Sequence, residues 1–460
     1  MESIKTINLP SKVKLILKRL IDNNFEAYAV GGCVRDSILN RPVADYDITT
    51  SALPENVISI FKDYEVIETG LQHGTVTVMI DHEGFEITTF RIDGDYTDNR
   101  RPDSVTYTTS LRADLRRRDF TINALACDID GNIIDMFNGI DDINNKIVRC
   151  VGSADARFNE DGLRILRALR FAAKLDFDIE FKTAEAIRNN KDLIRNIAQE
   201  RIQKEFNGII SCYNVASACK LIDSFLDIFG VFIPEILPMR MNQNNKYHKH
   251  NDLLDHTLAV VTGTKPDLIL RLAAFFHDFG KPDTYSEEIL ETGIQGHFYG
   301  HPKISAQKTF EIMKRMKYSN DEIEKVVWLV ENHDNMIAAT KRSVKKVLNK
   351  AKSPEMFDIL IELKASDRAD HVNLSEKYPE YLDQVMQIKE EILATNSAFS
   401  LKQLAVNGHD IMALGFKGPD VGKILNMLLE NVIDEVLIND KETLINHVKT
   451  CILLHNLLGG

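Results

Sequence analysis

Two aspartates, Asp45 and Asp47, follow a Gly31-Gly32 pair and a short helix-like stretch, VRDSILN. If YDIT runs as a strand, alternate side chains share a face, so both carboxylates point the same way. Paired like charges are unfavourable without a cation. Two Mg²⁺ ions about 3.5–4 Å apart, as in two-metal transferases, would make the arrangement favourable. Glu86, in FEITTF, is the candidate third carboxylate; an exposed strand residue is the plain alternative. The glycines stand where a strand passes to a helix and would let backbone amides approach an anion. Arg35, in the first turn of that helix, could clamp a phosphate bidentately. An ordinary strand-to-helix turn would explain the glycines alone equally well.

Two basic stretches follow. In LRRRDFTINALA, Arg117, Arg118 and Asp119 directly precede an apolar run, so charge is held against a core. In NEDGLRILRALRFAAKL, Asn159 is the expected helix cap, and Arg164, Arg167 and Arg170 recur every three residues as a drifting stripe. Three aligned cations repel unless an anion or a base sits against them. Asp161 and Arg164 are neighbours at i and i+3 and could simply pair, at a few tenths of a kcal/mol. They could instead read a base edge. Cytosine and adenine offer an amine donor beside a ring-nitrogen acceptor, which suits a carboxylate that accepts and a guanidinium that donates.

A third set lies further on: His256, His277-Asp278, His301, His333 and Asp367. Imidazoles and carboxylates on separate helices are how a bundle builds a metal site. A lone buried histidine is more often a satisfied core residue; an ordered series is not so easily explained.

These residues need elements to hold them. A chain of 460 residues suggests roughly three domains at about 150 residues each. Apolar residues at 44% and charged residues at 27% exclude a disordered or fibrous chain. A net charge of −12 argues against a coat for nonspecific nucleic-acid binding, so any polyanion must bind at the local arginine clusters. No apolar run reaches the roughly 18 residues of a membrane helix. MESIKTINLP is not expected to be a signal peptide. Six scattered cysteines without a CxxC pair fit reduced thiols and a cytoplasmic location. Up to about residue 150, strand and helix signals mix: FEAYAV, then a hairpin of GTVTVMID and FEITTFRI, then a second hairpin around Asp130-Gly131. From about 155 the strand signals stop and helical periodicity takes over. A polar, proline-broken stretch near 235–250 marks a further boundary.

Taken together, GGCVRD, DYDITTSALPE, ETGLQHGTVTV, ITTFR, RRPDSVTY, RRDFTINALA, IIDMFNGIDDI, EDGLRILRALRF and QERIQKEF closely resemble the class II tRNA nucleotidyltransferases, the CCA-adding enzymes of bacteria. The likeness covers about residues 1–240; Met136 departs from it, standing where the family usually has proline. It implies an α/β head with a small mixed sheet, polymerase-β-like, over 1–150 and a helical neck over 151–240. It also implies template-independent addition of the tRNA 3′-terminal CCA from CTP and ATP, with Mg²⁺ in the head and no membrane. By the same resemblance Asp45 and Asp47 hold the metals, and Gly32, Arg35, Arg118, Asp161, Arg164, Arg167 and Arg170 form the nucleotide pocket. A flexible loop is implied after ITTFR, in RIDGDYTDNRRPDSVTY. The series His256, His277, Asp278 and Asp367 resembles the core of an HD phosphohydrolase domain. That domain is expected over 241–372 with an unidentified divalent metal, His301 and His333 being extra candidate ligands. A helical region over 373–460 is the expected tRNA contact. The rivals are a poly(A) polymerase, an enzyme adding only CC or only A, a chain that is chiefly an HD phosphohydrolase, and a non-catalytic RNA-binding module.

Overall fold

The alternation of apolar and polar residues in TVTVMI and EGFEITT builds the centre of the first sheet, with Val76, Val78, Ile80, Phe85 and Ile87 turned inward. The computed structural model describes residues 6–71, 74–94, 105–244, 249–250, 252–291, 293–369, 371, 377–395 and 397–458. Most of the loop expected over 91–107, and the Gln72-His73 part of ETGLQHGTVTV, lie outside them.

The chain divides into two units, residues 1–237 with 315–317, and 238–314 with 318–460. The first begins α1(Ser11–Asp22), β1(Ala27–Val30), α2(Gly32–Ile38), β2(Asp47–Thr50), α3(Pro54–Ile60), β3(Glu65–Ile67), β4(Thr75–Ile80), β5(Glu83–Thr89), β6(Arg91–Asp93), β7(Val105–Tyr107) and α4(Leu111–Arg116). It continues with β8(Leu125–Cys127), β9(Ile133–Asp135), α5(Gly139–Asn144), β10(Ile147–Val148), α6(Ala154–Glu160), α7(Leu163–Leu175), β11(Asp178–Ile179), α8(Phe181–Asn189), α9(Gln199–Ile210), α10(Val215–Ser224) and α11(Leu226–Phe232).

The main sheet runs β3-β4-β5-β2-β1-β8-β9, with β2 and β5 parallel and the other neighbours antiparallel. Both expected hairpins are present, as β4–β5 and β8–β9. Val30, Phe90, Leu111, Leu115, Ala124, Ala126 and Val151 pack together, joining β1, β8 and α4. Sheet and helical neck lie within the same compact unit.

The second unit holds α12(Leu253–Thr262), α13(Leu268–Phe276), α14(Lys281–Thr284), β12(Ser286–Leu290), β13(Gly293–His297), α15(His301–Arg315), α16(Asn320–Asn332), α17(Lys341–Ala351) and α18(Pro354–Ala369). It ends with α19(Lys377–Ala394), α20(Gly408–Met412), α21(Pro419–Ile433) and α22(Lys441–Leu458). The strands β11, β12 and β13 correct the expectation that strands stop near 155. Apart from 315–317, the described residues of 241–372 and 373–460 fall in the same unit. Among the described residues no helix is long and apolar enough to cross a membrane.

Candidate functional site

Strand β1 pairs with β2 so that Val30 faces Asp47. Where β1 ends, Gly31 turns at φ +84°, a conformation that favours glycine, and α2 begins at Gly32. The same turn is approached by Arg118: a Cβ on Gly31 would lie 2.9 Å from its Nη1. Register therefore brings the Gly31 turn and Asp47 to one end of two central strands, with Arg118 beside the turn. β5 runs parallel to β2 with Ile87 beside Ile48, which puts Glu86 in the row of Asp47. Asp45, Asp47 and Glu86 are all solvent-exposed.

The strand begins at Asp47, so Asp45 lies in the segment before it, correcting the expectation of two carboxylates on one strand face. Among the described residues, these three acids do not form a cluster within 4.8 Å of one another. Crowding by the surrounding head raises the Asp47 carboxyl above its ordinary range, although its side chain reaches solvent. The Arg118 charge opposes that rise and Asp45 adds to it.

Arg118 itself is lowered by burial, against the pull of Asp114, Asp47 and Asp119. Its Nε is buried and, among the described residues, has no hydrogen-bond partner. Arg35 differs from expectation. Its guanidinium donates to Asp36 through Nε and Nη2, both at 2.9 Å, and through Nη1 to Asn123. It is 4% exposed, so it is closed off as a free phosphate clamp.

The arginine stripe of α7 is also neutralised from within. Arg164 pairs with Glu160 and donates to the carbonyls of Arg157 at 3.1 Å and Arg117 at 3.3 Å. Arg167 donates to Asp119 through Nε (2.9 Å) and Nη2 (2.6 Å), and Arg170 reaches Glu205 at 2.5 Å. The Phe171 ring carries the guanidinium groups of Arg170, Arg35 and Arg167 at 4.5, 5.2 and 5.4 Å. The external anion invoked for these three cations is thus supplied by the protein's own carboxylates. Asp161 takes Arg201 as its ion partner (3.0 Å) and accepts from the Leu163 amide (3.0 Å). Asn159 lies inside α6, which Ser153 caps, so it does not cap α7. Sequence reasoning missed Glu160, Arg201, Glu205 and above all Asp114. The i+3 and i+4 spacing of Asp114 to Arg117 and Arg118 was the available signal.

In the second unit, α12, α13, α15, α16 and α18 bring His256, His277, Asp278, His301, His333 and Asp367 together. His277, His301 and His333 each turn Nδ1 to the carbonyl three residues earlier, at 2.7, 2.8 and 2.6 Å. A carbonyl only accepts, so Nδ1 donates there and each Nε2 is turned inward. The Nε2 atoms of His277 and His256 lie 3.1 and 3.4 Å from Asp278 Oδ2, and that of His301 lies 3.3 Å from Oδ1. His256 also stands 3.2 Å from Asp367, and His301 stands 3.3 Å from His333. Burial and the neighbouring His277 push His333 down to about 3, so it is neutral at pH 7.

Neither oxygen of Asp278 accepts a well-formed hydrogen bond, and both are buried. Inward-facing imidazole nitrogens around a buried carboxylate, one oxygen of which meets Lys281 Nζ at 2.6 Å, make a donor set that fits a cation. Two ligand triads share Asp278: His256 with His277, and His301 with His333. A cavity of about 490 Å³ opens beside them, lined also by Lys281, His297, Tyr299, Arg368 and His371.

Comparison with known proteins agrees with this architecture. Residues 27–149 match the Poly A polymerase head domain, and 176–239 match the probable RNA and SrmB-binding site of polymerase A. Residues 298–448 match a family described as tRNA nucleotidyltransferase domain 2, putative, which runs across the boundary expected at 372. The CCA-adding enzyme of Lactobacillus helveticus is 52% identical over 206 residues, 44% of this chain and 51% of that protein. That of Enterococcus faecalis is 48% identical over 206 residues, 44% of this chain and 50% of that protein. The chain thus spans about half the length of the curated relatives it matches. The Bacillus stearothermophilus CCA-adding enzyme solved with CTP is 26% identical, with TM-score 0.71 over 96% of this chain and 97% of that one. The Thermotoga maritima enzyme solved with tRNA shares the fold, at 18% identity and TM-score 0.59 over 96% of each chain. The head, residues 27–149, matches the Poly A polymerase head domain, and the chain is similar in structure over nearly its whole length to a CCA-adding enzyme.

Proposed function

We propose that the chain adds nucleotides to the 3′ end of tRNA without a template, building or repairing CCA from CTP and ATP with release of pyrophosphate. The observation that supports this reading is the Val30–Asp47 pairing, with Asp47 at the end of the central strands beside the Gly31 turn that Arg118 approaches. Solved CCA-adding enzymes with CTP, ATP and tRNA bound make those three the partners to test. Asp45 and Asp47, two oxygen donors open to solvent, suit Mg²⁺, which when bound would activate the primer hydroxyl and steady the triphosphate. Glu86 reaches toward the same row from β5. Arg118 meets phosphate charge beside Gly31 and Gly32. Asp161 accepts from, and Arg164 donates to, the edge of the incoming base. Arg35, Arg167 and Arg170 brace the pocket from behind. A protein with this role works in the cytoplasm.

The test is a tRNA lacking its CCA end, offered each nucleoside triphosphate and read at single-nucleotide resolution. The chain should add two C and one A and then stop. Asp45→Ala and Asp47→Ala should each lower incorporation by about a thousandfold or more, with the circular dichroism spectrum unchanged. Near-normal addition by either variant would refute the metal assignment. A long A tail would mark a poly(A) polymerase, and CC alone or A alone a partial enzyme.

The cluster in the second unit favours a second activity. His256, His277, Asp278 and Asp367 would hold a divalent metal on one side of Asp278, and His301 with His333 would hold one on the other. Such a centre supplies an activated water to a phosphate ester. Arg368, which lines the cavity, would give it positive charge for that ester, while Lys281 is paired with Asp278 at 2.6 Å.

A further inference from the structure

Asp114 lies on α4 with no exposed surface, a costly place for a carboxylate unless it is paired. Its Oδ1 accepts from Arg117 through Nε at 3.0 Å and Nη2 at 2.8 Å, and from the Arg91 amide at 3.3 Å. Its Oδ2 accepts from the Thr49 hydroxyl at 3.2 Å and faces Arg118 Nη2 at 3.8 Å. Thr49 stands on β2, two residues beyond Asp47 and on the same strand. One buried group thus ties β2, β6 and the arginine run together. We propose that Asp114 is a positioning residue of the nucleotide-addition site: it holds Arg118 over the Gly31 turn, aimed at the triphosphate of the incoming nucleotide and away from Asp47. The inference rests on the nucleotidyl-transfer reading above.

Three features support the aim of Arg118. A Cβ on Gly31 would lie 2.9 Å from its Nη1, so the turn leaves room for it by having no side chain. Its Nε is buried and, among the described residues, has no hydrogen-bond partner. Its other acidic neighbours are Asp47 and Asp119, and Asp119 is already held by Arg167. Without Asp114 the guanidinium would be drawn to Asp47, occupying a carboxylate needed by the cation. A triphosphate arriving at the Gly31 turn offers the oxygens that Arg118 lacks.

Asp114→Asn keeps the shape of the side chain and removes its charge. In the full-length protein with Mg²⁺, the KM for CTP and for ATP, and the Kd for CTP titrated without tRNA, should rise roughly tenfold. The KM for tRNA should stay within about twofold. In an Arg118→Ala background the same substitution should raise the CTP Kd no further, because the residue through which it acts is gone. An unchanged nucleotide KM, or an equal rise in the Arg118→Ala background, would overturn the proposal. If Asp114→Asn does not fold, Thr49→Val loosens one arm of the hub. It should raise the CTP Kd about threefold with tRNA KM unaltered, and no rise would count against the proposal. A wild-type chain that adds no nucleotide to a tRNA lacking its end would overturn the functional reading and this inference together. Normal wild-type addition with either negative result above overturns the inference alone.

Discussion

Each arginine on α7 has its own carboxylate, and where that carboxylate sits in the sequence decides whether it could be foreseen. Glu160 is four residues before Arg164, within reach of helical spacing, but Asp119 and Glu205 come from a distant loop and from α9. The stripe therefore looked like three cations awaiting a ligand, and its neutralisation depended on tertiary packing. The base-reading pair changes in the same way. Asp161 is oriented by Arg201 and Arg164 by Glu160, so the two act as separately held groups. An ionised carboxylate cannot donate and a guanidinium cannot accept, so uracil and guanine would leave polar groups unmatched at about 1–3 kcal/mol each. Asp161→Ala or Arg164→Ala should therefore raise UTP or GTP incorporation relative to CTP and ATP. Arg201→Ala should shift the ratios the same way by a smaller factor, since Asp161 loses its orientation but keeps its acceptors. Competition assays with all four nucleotides measure this. Lower rates with unchanged ratios in all three variants would leave these residues only a bracing role.

At the scale of elements, the strongly patterned segments were legible and the short ones were not. TVTVMI and FEITT alternate cleanly, and their hairpin forms with Ile87 turned into the core. Strands β10 and β11 are two residues long, below any periodicity that a sequence can display. The start of β2 at Asp47 was also hidden, because nothing local in ADYDIT distinguishes the strand from the approach to it. Asp119 shows what such short segments gain from tertiary contacts, since it anchors the segment after α4 to α7. Burial alone would push its carboxyl up, but the Arg167 guanidinium outweighs this and holds it at about 2. Its folded-state value lies below the unfolded one, near 3.8, so the stability it adds is full above pH 4–5 and fades as pH falls through 2. The pH-dependent part is about 2 kcal/mol. Asp119→Asn should show a stability deficit, relative to wild type, that is constant from pH 8 to pH 5 and about 1 kcal/mol smaller at pH 3. Urea titrations at each pH would show it. A deficit as large at pH 3 as at pH 7 would mean that Asp119 acts by shape and not by charge.

At the scale of the whole molecule, the order of chemistry-bearing residues was readable because each motif is local, whereas the grouping of the segments was not. Head and neck share one packed unit, and the helices after 372 belong to the unit that holds the histidine cluster. The histidines announced a metal by type, but the device that prepares them, three Nδ1 protons each tied to a carbonyl one turn back, exists only in the folded bundle. On the reading proposed above, each unit would carry its own cation-binding chemistry: exposed carboxylates in the first, buried imidazoles around Asp278 in the second. Hard oxygen donors favour Mg²⁺, while imidazole-rich sets favour transition metals, so the two centres should differ in metal as well as in place. The double substitution His277→Ala with Asp278→Ala removes two ligands of one triad and the residue shared by both, so it should strip transition metal from the purified protein. Any metal-dependent phosphatase or cyclic phosphodiesterase activity should go with it, while addition of C and A to truncated tRNA stays within about twofold of wild type. His301→Ala, which touches one triad only, should lower the metal content part of the way. Elemental analysis, phosphate release and primer extension on the same preparations read the three outcomes. Loss of nucleotide addition in a folded, metal-free double variant would show that the second unit's centre serves the first unit's reaction and has no chemistry of its own.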